Sequence, residues 1–188
     1  MIRYFEFSKE VHPKYSVEGF GVLKNWQVYK VLEDDKPAGQ FYHHKEICYF
    51  DFENREMGLA ISRPHFKNIQ ADIINRQTEQ RIGAIEAPTQ VTFDPTIGWI
   101  QLGDTIYKGE KQGGEKSNSI WSKDWRYYQF CISNTRQDVI FGLQTSMSAT
   151  SPFKNGRIQL LGNDLLLVFA GLFLVEEALQ QIDEAARR

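Results

Sequence analysis

The chain is poor in cysteine, in net charge and in long hydrophobic runs, and each shortage excludes something. Two cysteines, Cys48 and Cys131, are too few for a disulfide scaffold or an all-cysteine metal site. Lys and Arg number 22 and Asp and Glu 24, a net charge of −2. A dedicated nucleic-acid binder carries a basic excess instead. The longest apolar run, Leu165 to Val175, has eleven residues with Gly171 inside it. A membrane span needs roughly 20. Residues 1–10 interleave apolar positions with Arg3, Glu6, Lys9 and Glu10. They lack the uninterrupted apolar stretch of a signal peptide and read as a strand that begins the fold. The expectation is a cytoplasmic protein with reduced thiols and no transmembrane span.

What is present points to one folded body. Aromatic residues make up 13% of the 188 positions and apolar residues 41%, which rules out intrinsic disorder and supplies one sizeable core. No shift in composition marks a domain boundary, so 1–188 reads as a single domain.

Residues 1 to about 162 read mostly as strands, short apolar or β-branched runs cut by Asn, Asp, Gly and Pro. Four hairpins share a grammar. Strands at 26–32, 47–52, 71–74 and 127–132 run into turns at 33–37, 53–56, 75–78 and 133–136. Each return strand carries a glycine early: Gly39, Gly58, Gly83 and Gly142. Glycine inside a strand marks a bulge, a bend or a close backbone approach, so these hairpins are expected to bend strongly, as in a barrel wall. Residues 103–122 are polar and glycine-bearing and read as strand fragments around a mobile loop at 112–115.

The tail is different in kind. Asn163 or Asp164 is a candidate N-cap for a helix over about 164–186, and Arg187 and Arg188 suit its negative end. From Leu165 to Val175 that helix is apolar on every face, so it must be enclosed on every face. From Glu176 it becomes amphipathic, with Leu179, Ile182 and Ala186 near one side. The fold expected is therefore mainly β (α+β), with bent antiparallel hairpins forming a closed barrel around a buried apolar C-terminal helix.

This order of elements resembles the tubby C-terminal-like fold, nearest its LURP-one-related and phospholipid-scramblase-like branch. The likeness runs over residues 20 to 180. It includes the segment from Trp121 to Phe130 feeding a hairpin, then Arg157-Ile158-Gln159-Leu160-Leu161 before the apolar helix, and Glu176 closing the apolar run. The resemblance implies a twelve-stranded barrel around a central helix. Tubby members are associated with phosphoinositides through lysines and arginines, but those positions do not map residue by residue onto this chain. The scramblase branch is associated with membranes and calcium, and no Asp-rich loop with EF-hand spacing occurs here.

No constellation points to catalysis, a cofactor or a metal. His43 and His44 are adjacent, so on a strand they face opposite ways and cannot chelate one ion together. They read as solvated strand-end residues. Cys48 and Cys131 lie in apolar strands and read as small buried hydrophobes. The segment Gly109 to Ser117 lacks the Gly-Lys-Ser/Thr ending of a phosphate loop, because Glu115 intervenes. Glu176 and Glu177 read as the point where the helix leaves the core.

The remaining candidate is a surface. Residues 103–126 have a net charge of +1 and carry Lys108, Lys111, Lys123 and Arg126 beside Trp121 and Trp125. Tryptophan next to Lys and Arg suits contact with anionic lipid headgroups or with a protein partner, although a net of +1 draws an anionic surface weakly. Core or rim packing is the plainer account of the two tryptophans. Three functions follow. A non-enzymatic barrel bearing an external lipid-headgroup or protein site comes first. A lipocalin-like carrier of a small apolar ligand is the alternative, but its helix would lie outside and be amphipathic, and Gly21 and Trp26 lack the Gly-x-Trp spacing. An enzyme lacks a convergent nucleophile, base and orienting group.

An enclosed helix has no room for a larger residue at its small positions. Gly171→Leu is expected to cost about 1–3 kcal/mol by overpacking, read as a fall in the urea midpoint. An unchanged midpoint would show that the helix is not enclosed there.

Overall fold

The fold was obtained as a computed structural model and is described for residues 1–12, 15–17, 21–23, 26–44, 47–63, 68–88, 95–115, 124–131, 139–145 and 155–186. For 11–12, 15–17, 21–23, 26, 113–115, 124–131, 139–145 and 181–186 the backbone alone is described. Among the described residues, fourteen strands precede one helix. They are β1 (Ile2–His12), β2 (Tyr15–Val17), β3 (Gly21–Leu23), β4 (Trp26–Glu33), β5 (Lys36–His44), β6 (Ile47–Phe52) and β7 (Arg55–Ser62). Then come β8 (Ile69–Asn75), β9 (Arg81–Ala87), β10 (Thr96–Leu102), β11 (Thr105–Glu115), β12 (Asp124–Cys131), β13 (Val139–Thr145), β14 (Asn155–Leu161) and the helix α1 (Leu165–Ala186). The mainly-β body with a C-terminal helix is as the sequence led one to expect.

Strands β2 and β3 pair only with each other. The other twelve pair antiparallel in the order β1-β14-β13-β12-β11-β10-β9-β8-β7-β6-β5-β4. Because β1 pairs with β14 along Ile2–Ser8 and with β4 along Phe5–His12, the two ends of that order meet. No strand of the ring is then left with an unpaired edge.

Turn chemistry sets the register. Asp34-Asp35 and Glu53-Asn54 are two-residue connections with positive φ at both positions (49° and 63°, 49° and 59°), the geometry that matches strand twist in tight hairpins. At the third turn the Asn75 side chain accepts hydrogen bonds from the backbone N–H of Gln77 at 2.9 Å and Thr78 at 3.2 Å. The fourth expected turn, 133–136, lies outside the described residues, while its flanking strands β12 and β13 pair in register from Asp124–Thr145 to Phe130–Val139.

The glycine grammar holds in part. The ladder gains an extra residue at Ala38, Ile82, Ile97 and Gln112, and the next residue each time is glycine: Gly39, Gly83, Gly98 and Gly113. Gly39 and Gly83 thus mark bulges. Gly58 and Gly142 pair regularly, opposite Tyr49 and Tyr127, and mark none. Residues 112–115, expected as a loop, instead belong to β11, where Gly113 to Glu115 pair with β12. A bulge absorbs the glycines into the ladder rather than ending it.

Inside the ring lies α1. Asp164 is the N-cap: its carboxylate accepts from the Leu166 N–H at 3.0 Å. Every residue from Leu165 to Glu177 is buried. Phe169 stacks on Phe50 and Phe52 with centroids 5.7 and 5.0 Å away, and Phe173 meets Phe41 edge-on at 6.4 Å. Two of the bulge glycines, Gly39 and Gly98, bring the wall onto this helix. A Cβ at Gly39 would lie 2.6 Å from Phe169 Cζ and 2.6 Å from the Asp51 carbonyl oxygen, and one at Gly98 would lie 2.8 Å from Leu174 Cδ2.

Ion pairs stand on the outer face of the described strands. Lys30 pairs with Glu10 at 2.9 Å, Arg76 with Glu56 at 2.8 Å and Arg81 with Asp72 at 2.6 Å.

Gly39→Ala is expected to destabilise by about 1–3 kcal/mol, since backbone and an aromatic ring must both yield. Gly58→Ala, whose Cβ would meet the flexible Arg76 side chain at 3.4 Å and the Ile74 carbonyl oxygen at an ordinary 4.0 Å, is expected to stay within about 0.5 kcal/mol of the parent. Chemical denaturation of the two variants checks the pair. Equal effects would deny the close approach at Gly39.

Candidate functional site

The residues singled out as a surface do not assemble into one described patch. Lys108 lies on β11 and is ion-paired to Glu110 at 2.6 Å, so its charge is neutralised within the strand. Lys111 is exposed on the same strand. Trp125 and Arg126 stand on β12, opposite Glu115 and Gly114, with their backbones alone described. Trp121 and Lys123 lie outside the described residues.

Next to Lys108, across the strand pair, stands Trp99 on β10. Trp99 is 37% exposed and Ile106, at the start of β11, 55%. Both line an open groove of about 460 Å³ on the outer face of β7 to β11, whose walls include Ala60, Ala84, Arg81 and Glu86. The small side chains of Ala60 and Ala84 leave the groove its depth. Its charged lining is already occupied: Arg81 pairs with Asp72, and Glu86 accepts from Asn68 at 2.6 Å. Residues 103–122 drew attention to β11, but nothing in the sequence pattern set Trp99 apart from a core tryptophan.

The second constellation is internal. Glu176 and Glu177 do not mark the helix leaving the core. They are 3% and 2% exposed. Glu176 is held by the Lys9 ammonium at 3.1 Å, by the Tyr29 hydroxyl, which donates to its other oxygen, and by the Gln180 amide at 3.1 Å. Arg63, just past β7, donates to both oxygens of Glu177, at 2.8 and 2.5 Å. One helix position is thereby tied to β1 and β4, and its neighbour to the β7 end. His43 is also buried, at 3% exposed, and not a solvated strand-end residue. Its place on β5 turns it inward, opposite Cys48 on β6.

Burial governs the titration of this cluster. It pushes the Tyr29 phenol well above its usual range, and the neighbouring Glu176 charge adds to that. Burial pushes the Cys48 thiol well up too, reinforced by Glu177, so the thiolate a nucleophile requires is disfavoured. It also works against the charged form of Glu176, but Lys9 and the hydrogen bonds from Tyr29 and Gln180 outweigh it and hold that carboxyl below its usual range. Burial lowers His43 and keeps it neutral. The arrangement binds the helix end rather than activating a reactant. Among the described residues, no three His, Cys, Asp or Glu side chains are grouped to hold a metal ion.

Comparison with protein-family models, with curated proteins and with solved structures finds no match to this chain. Among the described residues, no helix is long and apolar enough to cross a membrane.

Breaking a buried ion pair leaves its partner charged and unsolvated. Lys9→Met is therefore expected to cost about 3–5 kcal/mol, and Lys9→Met with Glu176→Gln to recover much of it, because the amide oxygen still accepts from Tyr29. A double variant as unstable as the single one, by urea denaturation, would contradict this account of the pair.

Proposed function

We propose that this chain is a non-enzymatic, helix-filled barrel of the tubby-like class that binds a protein segment on its outer face, along the Trp99–Ile106 groove. The observation that carries the proposal is the occupied interior. Phe169, Phe173 and their neighbours on α1 take the space in which a lipocalin-like carrier would hold a small apolar ligand, so recognition falls to the exterior. The choice of a protein segment over an anionic membrane follows from charge. The groove presents an exposed Trp and an exposed Ile, whereas Arg81 and Glu86 in its lining, and Lys108 across the strand pair from Trp99, have partners within the fold. Exposed aromatic anchors with a polar rim suit protein contacts. Anionic lipid would need cations with charge to spare. The free, buried Cys48 thiol fits a reducing compartment such as the cytoplasm.

Selection of a random peptide library on the purified chain tests this. Enriched peptides are expected to bind the parent and to lose at least tenfold in affinity with Trp99→Ser, which keeps the parent's melting temperature. Peptides indifferent to Trp99→Ser would refute the groove. Salt-sensitive co-sedimentation with phosphatidylserine vesicles, and not with phosphatidylcholine, would replace the protein segment by a membrane surface. In that case Lys111, Lys123 and Arg126 are the residues to vary.

A further inference from the structure

His43 is the one described histidine buried in the core, and its surroundings are unusual for a neutral ring. The imidazole stacks near Phe41 with centroids 5.9 Å apart and meets Phe173 edge-on at 6.5 Å. Among the described residues, neither ring nitrogen has a hydrogen-bond partner. A buried polar group left in that state costs free energy. Nε2 lies 4.0 Å from Glu177 Oε1, the same oxygen that accepts from Arg63 Nη2 at 2.5 Å.

Titratable groups face this ring from every side of the helix end. They are Lys9 on β1, Tyr29 on β4, Cys48 on β6, Arg63 after β7, and Glu176 and Glu177 on α1. With Tyr29 and Cys48 uncharged, two cations balance two carboxylates. A proton on His43 adds an uncompensated charge to a desolvated site.

We propose that His43 is a proton-operated latch on the C-terminal end of α1. While the ring is neutral, Glu177 belongs to Arg63 and the imidazole packs against Phe41 and Phe173. Once the ring is protonated, Nε2–H competes with Arg63 for the same carboxylate oxygen. Arg63 is 31% exposed and can move into water, whereas His43 cannot. The seam then loosens at 174–180, and the apolar stretch from Leu165 to Phe173 stays enclosed. The sign follows from burial. The unfolded chain binds this proton first, so stability is unaffected above about pH 6.5. Below that the unfolding constant rises, by at most about tenfold per pH unit for a single proton, and levels off once His43 titrates in the fold.

The test is an NMR titration of the histidine ring protons in the full chain from pH 8 to 4.5, with amide exchange followed across α1. The expected result is that His43 titrates below the usual histidine range, and that exchange at 174–180 rises as it does while 168–172 stays protected. His43→Phe, which keeps a flat ring between Phe41 and Phe173 without a titratable proton, is expected to abolish the rise; His44→Gln is expected to keep it. Normal titration of His43 would overturn the proposal. So would unchanged exchange at 174–180, or a His43→Phe chain that opens over the same pH range as the parent. If that variant fails to fold, the parent's own titration decides.

Discussion

A helix that is apolar on every face cannot rest on a sheet; it must be surrounded. That demand, made by Leu165 to Val175, organises the rest of the molecule. A ring of twelve paired strands meets it, and the ring closes because β1 is long enough to pair with β14 over one stretch and with β4 over another. Closure also leaves no strand edge in the ring to aggregate. The interior is therefore helix against wall, with Phe169 and Phe173 packed on aromatic rings of β5 and β6.

A wall that tight needs places without side chains. The bulges beside Gly39 and Gly98 serve this end, because each glycine faces a helix side chain that a Cβ would strike. The helix's polar end is secured differently. Glu176 and Glu177 reach opposite parts of the ring, Lys9 and Tyr29 on one side and Arg63 on the other. An apolar helix in an apolar sleeve has little to fix its rotation or depth, and directional ion pairs supply both. Such pairs contribute more to uniqueness than to net stability.

Several of these features were legible in the sequence. The alternation of apolar and polar residues gave the strands, Asp and Asn gave the turns, and the apolar run with Asp164 before it gave the helix and its cap. Other features were hidden because they depend on pairing across the ring. Gly39 and Gly58 follow their turns at the same distance in sequence, yet only one is a bulge, since a bulge is a relation between two strands. Gly113 reads as loop chemistry until β12 is set beside it. Glu176 and Glu177 look like the start of a solvated face because their partners, Lys9 and Arg63, lie more than a hundred residues away. His43 looked exposed for the same reason. Trp99 was passed over because exposure on the outside of a ring leaves no mark in local sequence. The surface at Lys108 to Arg126 was chosen on composition, and the pairing of Lys108 with Glu110 shows how composition overstates available charge.

The central claim is enclosure of α1 by the strand ring, and native-state hydrogen exchange of its amides tests it most directly. If the ring surrounds the helix, the amides of 168–172 exchange only when the whole molecule unfolds. Their protection then equals the global stability measured with denaturant. Protection well below that value, insensitive to denaturant, would mean that the helix opens locally and is not held inside the ring.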